Sequence, residues 1–144
     1  MSAGIVRAAF RSHLASAITA TDVSAPYLEA INNTQPAKDR PAEWCALDFA
    51  GADEEPISLR SPDRLFRETG TVFAHAIAAA NSGDDTRAVE IADQIRTAFR
   101  GANLGNGIVV ETVSPPDTGD GKPDGRIFRA IVEIVYRYDF TANA

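Results

Sequence analysis

Two hydrophobic periodicities divide the chain. Between 87 and 100, Ala88, Ala92, Ile95 and Phe99 recur at three- and four-residue steps with Val89, Ile91 and Ala98 beside them, while Arg87, Glu90, Asp93, Gln94, Arg96 and Arg100 fill the remaining positions. That spacing predicts an amphipathic helix. Ser82, Asp84 and Asp85 precede it as acceptors for the free N–H groups of a first turn, Arg96 and Arg100 occupy the last turn, and Gly101 ends it. Over 3–19 the same period places Val6, Phe10, Leu14, Ala17 and Ile18 on one stripe, with Arg7, Arg11 and Ser12 off it, which predicts a second helix resting on a core. Asp22 to Pro26 breaks that helix.

Elsewhere the period is two. Phe73, His75 and Ile77 alternate with Ala74, Ala76 and Ala78 between Gly70 and the turn residues Asn81-Ser82-Gly83. Alanine favours helix, but the alternation and its boundaries predict a strand over 71–79, whose alanine face would let a helix approach closely. Over 43–50, Cys45, Leu47 and Phe49 oppose Trp44, Ala46 and Asp48, and the β-branched run 108–113 is a strand on propensity. Residues 127–140 form the longest strand, with Phe128, Ala130, Val132, Ile134, Tyr136, Tyr138 and Phe140 on one face. The other face mixes Ile127, Ile131 and Val135 with Arg129, Glu133, Arg137 and Asp139. If 71–79 and 108–113 are parallel neighbours, the helix between them makes a right-handed crossover.

The connecting segments are read from turn chemistry. Tyr27–Ile31 is a short strand or extended chain and 32–41 an exposed loop; 51–56 is an acidic turn, 101–107 a glycine- and asparagine-rich link, and 114–125 an exposed hairpin tip. The window 60–68 is the most basic of the chain; Asp63 and Glu68 dilute its arginines, so a solvated loop is favoured over an anion or partner site built on Arg64 and Arg67. These elements predict one α+β domain over 1–144: a mixed, mainly antiparallel sheet of four to five strands with two main helices packed on it.

Charge narrows the partners. The formal net charge is −6 and only Lys38 and Lys122 of the 14 basic residues are lysines, so the clustered cations that grip phosphates are missing. No run of 18 apolar residues predicts a membrane span, and the first residues lack the basic and apolar regions of a secretion signal. The single cysteine, Cys45, has no partner for an internal disulfide and fits a reducing compartment.

Chemistry-bearing patterns are sparse. An EF-hand loop opening at Asp117 needs oxygen ligands where Gly119 and Gly121 stand and Glu where Phe128 stands; Gly121-Lys122 is followed by Pro123 rather than the Ser or Thr of a P-loop. His13 and His75 lack companions at metal-ligand spacing. A Cys45–His75 dyad across neighbouring strands is the one catalytic pairing left open, against the ordinary reading of Cys45 as a small core hydrophobe. Asp53-Glu54-Glu55 sits in an exposed turn where burial would not tune a carboxylate. No catalytic residue, cofactor or metal is therefore expected, and no enzymatic activity.

The order of elements, with the Ile5-Val6-Arg7-Ala8-Ala9-Phe10 helix, Glu68-Thr69-Gly70-Thr71-Val72-Phe73, Ala88 to Phe99 and Phe128 to Tyr136, resembles the small tail terminator (tail completion) proteins of long-tailed bacteriophages and prophage-like elements such as gene transfer agents. The resemblance spans nearly the whole chain and rests on pattern. It implies a virion structural protein at the head–tail junction, assembled in the bacterial cytoplasm: six copies form a ring that caps the tail tube, stops its polymerisation and offers the surface for head docking. Its partners would be further copies of itself, the tail tube protein and the head–tail connector protein, with DNA passing through the lumen without specific binding. Under that expectation Arg64, Arg67, Ile131, Glu133, Val135 and Arg137 are the candidate interface residues, because the final strand carries apolar groups on both faces. The alternatives are another neck or connector protein, or a small non-viral α+β ligand-binding domain.

Overall fold

A computed structural model describes residues 4–19, 43–58, 63–79, 85–119 and 127–143. The elements run α1 (Gly4–Thr19), β1 (Trp44–Ser58), β2 (Asp63–Ala79), α2 (Thr86–Phe99), β3 (Asn103–Gly105), β4 (Ile108–Val113) and β5 (Ile127–Asn143). The expectations for 27–31 and 32–41, and the glycine-rich end of the 114–125 segment, lie outside the described residues.

The protein has an α+β fold: two helices on one face of a five-stranded sheet ordered β1-β2-β5-β4-β3. Every strand pairing among the described residues is antiparallel. The expected neighbouring of 71–79 and 108–113 is thereby corrected. β2 and β4 point the same way, but β5 lies between them and pairs with both.

One face of the sheet meets both helices. Cys45, Leu47, Val72, Ala74, Ala76, Ala78, Phe128, Ala130, Val132, Ile134 and Tyr136 form a continuous core with Val6, Phe10 and Leu14 of α1 and Ala88, Ile91, Ala92, Ile95 and Phe99 of α2. Both sequence periods thus select this core. Ala74, Ala76 and Ala78 of β2 are fully buried, as a close helix-to-sheet approach requires. Phe10 anchors the layer, its ring centroid 5.3 Å from those of Phe99 and Tyr136 and 6.1 Å from that of Phe49. His13 joins the helices through a 2.7 Å hydrogen bond between Nε2 and the Ala98 carbonyl. The Asp85 side chain, expected to cap α2, makes no capping hydrogen bond; the far end closes as predicted, with Gly101 at φ +64°.

Strand lengths depart most from expectation. β1 continues through the predicted acidic turn, and β2 begins at Asp63, inside the predicted basic loop. Side-chain polarity signalled turns there, but the β2–β5 pairing runs unbroken from Asp63↔Asn143 to Ala79↔Ile127, and ladder hydrogen bonds outweigh local preference. The link at 101–107 also contains a strand, because Asn106 and Gly107 both take positive φ (54° and 83°) and turn β3 back onto β4. Residues 114–117, read as part of an exposed tip, lie against β5. Asp117 and Ile131 exchange backbone hydrogen bonds of 2.9 Å, and the Ser114 N–H donates to the Glu133 carbonyl.

Candidate interaction surface

At ~3.3 Å per residue, 17 residues make β2 and β5 about 55 Å long, whereas the 14 residues of α2 span about 21 Å. The strands outrun the helices. Residues 52–58, 63–69 and 137–143 form a three-stranded arm in which, among the side chains described, only Glu68 is buried.

The base of the arm is closely fitted. A Cβ on Gly70 would stand 2.6 Å from Tyr136 Oη and 2.8 Å from the Gly51 carbonyl oxygen, at the bulge where β1 loses register with β2. That space admits the Tyr136 hydroxyl, which donates a 2.8 Å hydrogen bond to Glu68 Oε2 and satisfies a carboxylate that is 6% exposed. Beyond it, Phe66, Tyr138 and Phe140 stack half-buried on the helix side, with centroids 5.8 Å apart for Phe66–Phe140 and 4.9 Å for Tyr138–Phe140. On the opposite face Arg67 grips Asp139 with two hydrogen bonds, Nε to Oδ1 at 2.7 Å and Nη2 to Oδ2 at 3.0 Å. The guanidinium's hydrogen bonds hold the Asp139 carboxyl below the usual carboxylate range.

On the sheet face away from the helices, the open face, no described helix packs, although Ile77 and Ala46 are buried there (2% and 4% exposed). Across the unbroken β2–β5 register this face carries Arg67, Thr69, Thr71, Phe73, His75 and Ile77 on β2, opposite Asp139, Arg137, Val135, Glu133, Ile131 and Arg129 on β5. Trp44, Ala46 and Asp48 of β1 continue it outward. Trp44, Phe73, His75, Ile131 and Val135 on this face are all half-buried.

Five of the six sequence-selected residues share this face: Arg67, Ile131, Glu133, Val135 and Arg137. Arg64 does not. Three positions from Arg67 on an unbroken strand, it points to the opposite side of the arm with Phe66 and Glu68, and it is exposed. Arg137 reaches toward Glu111 on β4 at 3.9 Å, so part of its charge is answered within the sheet. Trp44, Phe73 and His75 also belong to the open face and were not among the selected residues; their alternation with buried neighbours was the available signal.

The Cys45–His75 dyad is not formed. In the β1–β2 register Cys45 faces Ala76 and Ala46 faces His75, so the thiol points into the helix-side core and the imidazole onto the open face. Burial pushes the Cys45 thiol up to about 12, far from a nucleophile's range. His75 is held below the usual imidazole value, first by burial and then by the Arg129 charge, and its shielded Nε2 has no hydrogen-bond partner among the described residues. Among those residues no three His, Cys, Asp or Glu side chains gather as a metal site, and no helix is long and apolar enough to cross a membrane.

A second surface lies on the helix side, where α1 and the β3–β4 hairpin enclose an open groove of about 460 Å³ lined by Ile5, Ala8, Ala9, Ser12, His13, Ser16, Asn103, Leu104 and Asn106. On the other flank of α1, Arg7 and Arg11 lie over the Phe49 ring at 5.0 and 5.8 Å.

No family model matches this chain, and no curated protein does. Fourteen chains among solved structures are similar. One of them, whose name states no function, is 18% identical, with 97% of each chain covered and a TM-score of 0.55. Likeness at that identity speaks to the fold alone.

Proposed function

We propose that this chain is a structural subunit of a phage or phage-like particle, a tail terminator that assembles as a homo-oligomeric ring on the end of the tail tube. There it stops tube growth and presents the surface on which the head docks. The observation that carries the assignment is the ribbon of β2 and β5. It extends past the helices and keeps half-buried apolar side chains on both faces, Phe66, Tyr138 and Phe140 on one and Phe73, Ile131 and Val135 on the other. A monomer gains nothing from such a ribbon, since apolar surface left in water forgoes about 25 cal/mol per Å². A subunit that meets neighbours on more than one side gains from every part of it.

In this role the candidate interface is the open face with Arg67, Ile131, Glu133, Val135 and Arg137, and the protein acts without a cofactor or a chemical step. The net charge of −6 suits a lumen that DNA crosses without being gripped. The test is addition of the purified chain to polymerising tail tube protein. A terminator shortens the tubes and is seen as a cap at one tube end; unchanged tube lengths with uncapped ends overturn the proposal.

A further inference from the structure

The β3–β4 hairpin turns on the one Asn-Gly pair in the chain, Asn106-Gly107. The fold favours both residues. Asn106 stands at φ +54°, a left-handed conformation that asparagine tolerates better than most side chains, and Gly107 stands at φ +83°. A Cβ on Gly107 would run into the Asp139 carbonyl oxygen, and the Asp139 N–H donates a 3.0 Å hydrogen bond to the Gly107 carbonyl. The same pair is chemically labile. Glycine offers the asparagine side-chain amide an unhindered backbone nitrogen, and both residues are exposed to water.

We propose that Asn106 is a site of spontaneous, one-way modification whose rate is set by opening of this hairpin. The Gly107 backbone nitrogen attacks Asn106 Cγ and gives its proton to water as the C–N bond forms. The Cγ–Nδ2 bond then breaks, and ammonia leaves with a proton taken from water. A second water opens the five-membered imide at either carbonyl, leaving aspartate or its isomer, in which the main chain runs through the former side-chain carbonyl. Water is the sole co-reactant. In the closed turn the reaction is held back, because a left-handed residue pairs its φ with a ψ of about +47°, which points the Gly107 nitrogen away from Asn106 Cγ. The hairpin holds it weakly. β3 pairs with β4 through Asn103↔Val109 and Gly105↔Ile108, with a register break between them, and within 103–107 every residue except the half-buried Leu104 is exposed. Such short, exposed pairings open far more often than a core strand. The products differ in consequence. Aspartate tolerates the left-handed turn, whereas the isomer adds a carbon to the main chain where Gly107 is seated against Asp139. Copies carrying the isomer therefore lose β3, and with Asn103, Leu104 and Asn106 they lose one wall of the groove beside α1.

The test is incubation of the full-length chain in mildly alkaline buffer, native and in urea, followed by mass spectrometry of the tryptic peptide 101–126 with fragmentation to locate the change. The expected result is conversion of amide to acid at Asn106, with Asn103, which precedes the bulkier Leu104, unchanged. The native rate is expected to lie at least about tenfold below the rate in urea. Leu104→Ala removes the half-buried anchor of β3, and it is expected to raise the native rate toward the urea rate without altering the urea rate. Aged wild type is expected to exchange its amide hydrogens faster over 103–110. Asn106→Gly, which keeps the left-handed turn and has no side-chain amide to lose, is expected to age without that change. Equal rates in native and urea-treated wild type overturn control by the hairpin. An intact Asn106 amide in native wild type and Leu104→Ala alike, after full conversion in urea, overturns the site. Isomer at 106 with unchanged hydrogen exchange overturns the loss of β3.

Discussion

Gly70 shows how one residue can set the junction between body and arm. The Tyr136 hydroxyl occupies the space a side chain would need, and through it the buried Glu68 carboxylate is satisfied. Gly70→Ala therefore costs about 1–3 kcal/mol by overpacking, and Tyr136→Phe about 1–3 kcal/mol by removing the donor to a buried acceptor. Urea unfolding of both variants checks this, and a Gly70→Ala midpoint equal to wild type contradicts the packing described. His75 supplies a pH signature. Its folded-state pKa is lowered, so on acidification the unfolded chain takes up the proton first. Its stabilising effect is complete above the unfolded imidazole value of about 6.5 and declines as pH falls below it toward the folded value. His75→Gln is expected to flatten the urea midpoint across that window; an unchanged pH profile contradicts the burial of the imidazole. The sequence placed Cys45 and His75 on neighbouring strands, but not on faces. That distinction needs the register, and a shift of one residue reverses it.

At the scale of elements, periodicity located both helices and the central stretches of the long strands, because those segments bury one stripe or one face and the core selects their residues. It did not locate the arm. The acidic 53–55 stretch reads as a turn and the arginines of 60–67 as a loop, yet β1 continues through the one on its pairing with β2 and β2 begins inside the other on its pairing with β5. On β1, an edge strand, the charges, Pro56 and the two register breaks make sense as guards against unwanted pairing. The Asn106-Gly107 turn was present in the sequence, but its partner strand β3 is only three residues long and left no periodic trace. For the open face, the alternation of Ile127, Ile131 and Val135 with charges on β5 was readable, and the register adds Phe73 from β2 and Trp44 from β1. Ile131→Lys or Val135→Lys is therefore expected to leave the thermal midpoint within a few degrees, since surface changes are usually within about 0.5 kcal/mol, while abolishing assembly. Light scattering beside thermal unfolding separates the two effects, and a folded variant that assembles normally contradicts the role given to this face.

At the scale of the whole molecule, the described helices cover one side of the sheet, and the proposed assembly has three candidate surfaces among the described residues: the open face, the arm with its stacked aromatics, and the groove beside α1. Surfaces that differ from one another suit a ring better than a two-fold dimer, whose single interface pairs a patch with itself. The most direct measurement is native mass across a wide concentration range, with negative-stain images of the largest species, repeated in the presence of tail tubes. Ring assembly predicts closed rings with a central hole and a mass six times that of the 15.4 kDa chain, free or seated on tube ends. A monomer at every concentration, with bare tubes beside it, would contradict it.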